Sequence, residues 1–137
     1  MFAKLLYALF SMKSLHFGAG KIGRGFIGAQ LSAAGYDVTF ADVNSSVVDA
    51  INNDRGYCLH ILDSQLFVQS VSGVSAVLSD QAVGLVVEAD IVTTAVSMNL
   101  LPAVAPIVAA GLVERRAAGV TAPLDVICCE NGIRATS

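Results

Sequence analysis

The stretch Ser14-Leu-His-Phe-Gly-Ala-Gly-Lys-Ile-Gly-Arg-Gly-Phe-Ile-Gly28 decides the fold. Ser14 to Phe17 reads as a short buried strand entering a glycine-rich turn. The turn passes into a helix through about Ala34, and Gly35 stops it at the C′ position. Gly18, Gly20 and Gly23 have the G-x-G-x-x-G spacing. Three such glycines alone are a weak signal. Placed between a strand and a helix, with Asp42 19 residues beyond Gly23 at the end of the next strand, they become a strong one.

The chemistry explains the residue types. Gly18 permits a tight turn, Gly20 leaves bare backbone facing a pyrophosphate, and Gly23 lets the helix pack closely on the sheet. Unpaired N–H groups at the helix start face the diphosphate. Asp42 is placed to accept hydrogen bonds from the adenosine ribose hydroxyls. Its charge repels a 2′-phosphate, which favours NAD over NADP. Lys21 and Arg24 flank the turn. Either they supplement the amides, with Arg24 alternatively reaching toward the substrate side, or they are exposed first-turn cations that need no ligand. Gly25 and Gly28 are expected to serve close packing.

Downstream, Tyr36 to Ala41 is a second buried strand ending on Asp42, and Asn44 or Ser45 caps a helix over Ser46 to Asn53. Two or three short strands are expected between Tyr57 and Val77, with breaks near Asp63-Ser64 and at Gly73. Asp80 is expected to cap a short helix to about Val87. Ile91 to Val96 is a strong buried strand, followed by a turn at Ser97-Met98-Asn99. A helix over Leu100 to Ala118 has Pro102 in its first turn; Pro106 starts its regular part or kinks it. Asp125 to Cys129 is a further strand, opening onto Glu130-Asn131-Gly132. This alternation predicts a three-layer α/β domain with a mostly parallel sheet and right-handed crossovers.

Composition narrows the class. The 137 residues are 55% hydrophobic and 14% charged, which excludes disorder and suits a sheet buried on both faces. A net charge of −3, from 8 basic and 11 acidic residues, offers no field for nucleic acid. Arg115 and Arg116 read as solvent-facing charges near a helix end. Cys58, Cys128 and Cys129 lack any CxxC spacing and read as reduced small hydrophobes in a cytoplasmic protein. His16 and His60 are dispersed, both read as structural, and no metal site is expected. Residues 1–11 carry an apolar run about half the length of a membrane span. No small-residue cleavage site precedes Met12, so they read as an extension upstream of a domain over 12–137 rather than a membrane or targeting segment.

By the switch-point rule, Thr94, Ala95 and Val96, with Ser97, lie where a dinucleotide crosses the sheet. Asn131 can serve the nicotinamide ribose. Glu130 either supports proton transfer or is a strand-end carboxylate facing solvent.

Leu15 to Gly28 strongly resembles the amino-terminal signature of the mannitol-1-phosphate 5-dehydrogenase family of polyol-type long-chain dehydrogenases. Thr39 to Asn44, Val92 to Val96, and Cys129-Glu-Asn131 resemble it too. The resemblance implies a Rossmann-like NAD-binding domain, with Leu15, His16, Phe17, Gly18, Ala19, Gly20, Lys21, Ile22, Gly23, Arg24, Gly25 and Phe26 forming the nucleotide loop. It implies that Asp42, with Val43 beside it, reads the ribose and that Asn131 lies near the nicotinamide. It also implies a sugar-phosphate substrate, and a helical carboxyl-terminal domain supplying a Lys with nearby Asn and His. No residue here matches that set, so Ile133 to Ser137 reads as an interruption and no principal catalytic residue is expected in this chain. The alternatives are a non-catalytic NAD-binding module and an inactive gene fragment.

Overall fold

The structure, a computed structural model, describes residues 11–132. The expectations for residues 1–10 and 133–137 lie outside it. Five strands make one fully parallel sheet: β1 (Lys13–Phe17), β2 (Asp37–Asp42), β5 (Ser75–Leu78), β6 (Ile91–Thr94) and β7 (Asp125–Cys128). Their order is β5-β2-β1-β6-β7. In register, Leu15 stands between Thr39 of β2 and Val92 of β6. The chain therefore leaves β1 in one direction to β2 and later returns to its other side at β6. The loops after these strands diverge there, opening a crevice at the carboxyl edge.

Alternation along the strands sends successive side chains into two cores. Leu15 and Phe17 join Val92, Val86, Val104 and Val108 under α3 (Val83–Glu88) and α4 (Leu101–Ala117). Val38 and Phe40 join Val48, Ile51, Val71 and Val74 under the opposite layer. That layer holds α2 (Ser45–Asp54) and α1, which is a π-helix over Gly23–Gly28 continued by an α-helix over Ala29–Ala33. Asn44 caps α2 as expected, its side chain accepting from the Ser46 and Val47 amides. Asn52 of α2 bonds both backbone groups of Ala76, at 2.8 Å each, so part of the free edge of β5 is already taken.

The stretch after α2 resolves into three strands with breaks at the expected places. β3 (Gly56–Leu62) and β4 (Leu66–Ser72) form a separate antiparallel hairpin, while β5 joins the main sheet. The lower half of the hairpin is anchored: Val71 is buried, Leu59 packs against the core, and the Tyr57 hydroxyl donates to the Arg24 carbonyl at 2.7 Å. Burial pushes the Tyr57 phenol up to about 12. At the far end Ile61, Leu62, Leu66, Phe67 and Val68 are exposed.

Several expectations need correction. Asp80 does not cap a helix; it lies inside a 3-10 turn, Ser79–Gln81, and α3 begins after it. Of the two places open to Pro106, it takes the one inside α4 and does not start its regular part. All three cysteines are free, as expected, and Cys58 is exposed on the hairpin. Arg115 is not solvent-facing but only 6% exposed. Its guanidinium donates to the carbonyls of Val87, Ala89 and Ala122 at 2.7–3.3 Å, and the Val86 carbonyl shares an Nη1 proton at 3.3 Å. The end of α3 leaves carbonyls without intrahelical donors, and this one side chain satisfies them. Gly111 allows the contact: a Cβ there would fall 2.8 Å from both methyl carbons of Val86. The segment Met98–Ala117 is long and apolar enough to cross a membrane by length and composition. Its Val104 and Val108 sit in the domain core, while most of the helix surface is exposed.

Candidate functional site

The glycine turn is held from below and from both sides. The Gly18 amide donates to the Ala41 carbonyl at 2.8 Å, and its φ of +101° is one that a side chain rarely adopts. A Cβ on Gly18 would fall 2.5 Å from the Ala95 carbonyl oxygen, and one on Gly23 would fall 2.9 Å from His16 Nε2. Gly20 differs, since nothing lies within 4 Å of its missing side chain. Two of the glycines are demanded by the protein's own packing, and the third faces open space.

Asp42 closes this turn. Its Oδ2 accepts from the Ala19 amide at 2.7 Å and its Oδ1 from the Asn44 amide at 2.9 Å. Each oxygen keeps a further lone pair for another donor. The carboxylate borders a cavity of about 590 Å³ running from Gly18 and Gly20 across Val43 to Ala95 and Val96. Leu78, Leu100, Ala103, Val104 and Ile107 give it apolar walls, and Asp80 adds a second carboxylate. A mostly apolar recess with a few fixed polar groups suits a flat heteroaromatic ring carrying a polar sugar.

Across the crevice, Glu130 follows β7. Its Oε2 accepts from the Thr94 hydroxyl at 2.8 Å and its Oε1 from the Val96 amide at 2.9 Å. Residues 12–137 match the family described as the mannitol dehydrogenase Rossmann domain.

The chain belongs to the mannitol dehydrogenase family.

Among solved structures it is similar to a protein from Enterococcus faecalis assigned as a 2-dehydropantoate 2-reductase. The identity is 20% and the TM-score 0.64, over 90% of this chain and 35% of that one. It is also similar to a dipicolinate synthase chain from Bacillus halodurans, at 13% identity and a TM-score of 0.45, over 74% of this chain and 31% of that one. The first likeness shows the doubly wound fold. This chain spans about a third of the length of both.

Within this mannitol dehydrogenase family domain, the sequence-predicted residues fall in four places. Gly18, Gly20, Asp42, Val43, Ala95 and Val96 line the cavity together, with Ala19 bonded to Asp42. Leu15, His16, Phe17 and Thr94 have buried side chains beneath it. Lys21, Ile22, Gly25 and Phe26 are exposed along the start of α1, with Arg24 half-buried among them. Asn131 is exposed just past β7. Gly25 is not a packing glycine, since a Cβ there would meet only Leu59, at 3.9 Å, whereas one on Gly28 would collide with the Phe40 ring.

His16 is a core residue, fully buried, with Nδ1 and the Thr93 hydroxyl 2.6 Å apart. Burial lowers its pKa to about 4, against the opposing pull of Glu130 and the Gly18 carbonyl, so the ring is neutral at pH 7. The sequence reading missed Leu78, Ser79, Asp80 and the inner face of α4 as cavity walls. Strand order held the signal, because β5 lies beside β2 and its carboxyl end must border the same recess.

Proposed function

We propose that this chain is the NAD-binding part of a mannitol-1-phosphate 5-dehydrogenase, which interconverts D-mannitol 1-phosphate and D-fructose 6-phosphate by hydride transfer. One observation carries the reading: the Asp42 carboxylate stands 2.7 Å from the Ala19 amide, beside a glycine turn whose open face at Gly20 adjoins the cavity. The residues present fit the cofactor. The apolar walls receive the adenine, the remaining lone pairs of Asp42 accept from the ribose hydroxyls, and bare backbone at Gly18 and Gly20 admits the diphosphate. Lys21 and Arg24 stand at the start of α1, where cations favour that anion. Asp42 and Asp80 together place two negative charges against a 2′-phosphate, which favours NAD over NADP. Asn131 serves the nicotinamide ribose.

The bound nicotinamide supplies the hydride donor or acceptor; this chain binds and orients it. The sugar phosphate and the Lys-centred catalytic set belong to a helical carboxyl-terminal domain of a longer polypeptide. In this reading residues 12–137 form the cofactor domain, residues 1–11 are an extension, and the protein works in the cytoplasm.

Calorimetry tests it. NAD is expected to bind saturably, NADP more weakly, and Asp42→Ala to weaken NAD by about tenfold to a hundredfold, the worth of one or two charge-assisted hydrogen bonds. Circular dichroism on the same sample excludes unfolding. Unchanged NAD affinity in a folded Asp42→Ala protein removes the ribose contact. The isolated chain is expected to show no oxidation of mannitol 1-phosphate, and robust turnover by residues 12–137 would overturn the division of labour.

A further inference from the structure

We propose that Glu130 is a positioning residue that fixes the shape of the cofactor cleft as a hydrogen-bond acceptor. Each carboxylate oxygen accepts one bond from the preceding strand's end: Oε2 from the Thr94 hydroxyl at 2.8 Å and Oε1 from the Val96 amide at 2.9 Å. Thr94 is only 2% exposed, so its hydroxyl has no water to replace that partner. Between these two anchors lies Ala95, whose amide donates to the Phe17 carbonyl at 2.8 Å. The Ala95 carbonyl oxygen is the atom that a Gly18 side chain would strike. Glu130 therefore fastens the strip Thr94–Val96, and that strip is the floor against which the glycine turn is folded. Asp42 holds the same turn from its other side through Ala19. One carboxylate holds the turn directly, and the other holds the strip against which it packs.

The negative charge is not what this brace uses. A glutamine in the same place still accepts from the Val96 amide through its carbonyl oxygen, and its amide nitrogen can donate to the Thr94 oxygen, at the cost of the acceptor for the Thr94 O–H.

The test compares Glu130→Gln, Glu130→Ala and Thr94→Val with the wild-type chain, by amide hydrogen exchange at Val96 without ligand and by NAD titration. Glu130→Gln is expected to keep Val96 protected and NAD affinity within about threefold. Glu130→Ala is expected to lose at least about tenfold in both, the cost of leaving a buried donor unpaired. Thr94→Val, which keeps shape and removes one of the two bonds, falls between them and serves in place of Glu130→Ala should that variant not fold. Val96 exchange left unchanged by Glu130→Ala, or by Thr94→Val in its stead, overturns the brace. Glu130→Gln as damaging as Glu130→Ala shows that the charge is required and overturns it equally. The effect on NAD rests on the cofactor reading above; the exchange measurement does not. Failure of the wild type to bind NAD would sink that reading while the brace is still decided at Val96.

Discussion

The turn between β1 and α1 and the strip between β6 and α4 meet beneath Gly18, yet they are built by opposite means. The turn is shaped by side chains that are missing. Gly18 and Gly23 can approach Ala95, His16 and each other because neither carries a Cβ. The strip, and the short helix α3 before it, are shaped by long side chains reaching from far along the chain. Glu130 binds groups 34 and 36 residues upstream of it, and Arg115 binds carbonyls 26–29 residues upstream. A backbone conformation that only glycine permits is written locally. One held by a distant charged group is written wherever the fold happens to bring that group.

The harshest way to break the contrast is to give the turn a side chain. Gly23→Ala drives a methyl into the Gly18 carbonyl and toward His16 Nε2, both held in the interior. Overpacking against backbone leaves little room to relax, so a loss above about 3 kcal/mol is expected in urea unfolding. Gly20→Ala is its internal control. With nothing within 4 Å, it should leave stability almost unchanged while weakening NAD. Equal destabilisation by both substitutions would mean that the turn owes nothing to close packing.

On the other side the corresponding break is Arg115→Met, which keeps the apolar stem and deletes the donors. Four carbonyls lose their partner, and a cost of about 2–3 kcal/mol is expected in the same measurement. Arg116→Ala, on an exposed neighbour, should stay within about 0.5 kcal/mol. Indistinguishable effects of the two would return Arg115 to the solvent-facing role that its sequence context suggests.

That pair shows where sequence reading stops. The parallel sheet, the order of strands and helices, the Asn44 cap and the cluster around Gly18, Gly20 and Asp42 were legible, because spacing and residue type determine them over a few residues. Arg115 was not, since Arg115 and Arg116 adjoin on the same helix end and nothing local says which turns inward. Asp80 looked like a helix cap because a carboxylate before an apolar run usually is one. Its place on the cavity wall depends on β5 pairing with β2, a contact across 36 residues in the register of Thr39 with Ser75. Gly25 looked like a packing glycine only by the company it keeps.

Where the two regions touch, acid should loosen them together. His16 lies under the turn and is bonded to Thr93 of β6, with its pKa lowered from 6.5 to about 4. A histidine whose folded pKa is depressed binds its proton more readily when unfolded. Its contribution is therefore complete above about pH 6.5 and is lost as the pH falls toward 4. About 2 kcal/mol should disappear between roughly pH 7 and pH 5. His16→Gln, which cannot titrate, should flatten that slope in urea titrations run at several pH values. A slope identical to wild type would assign the acid sensitivity to other groups.

The smallest effect has the opposite sign and tests whether every glycine in the run is needed. Gly25 sits in the π-helical start of α1, and a Cβ there meets one methyl group of Leu59 at an ordinary 3.9 Å. Its φ is not positive, so alanine enters without backbone strain. Alanine also loses less conformational freedom than glycine on joining a helix, and it adds a contact to the hairpin. Gly25→Ala is expected to raise stability by about 0.5–1 kcal/mol, seen as a melting temperature a few degrees higher. A fall instead would show that this turn of α1 needs glycine for its wide coil, extending the rule of missing side chains beyond Gly18 and Gly23.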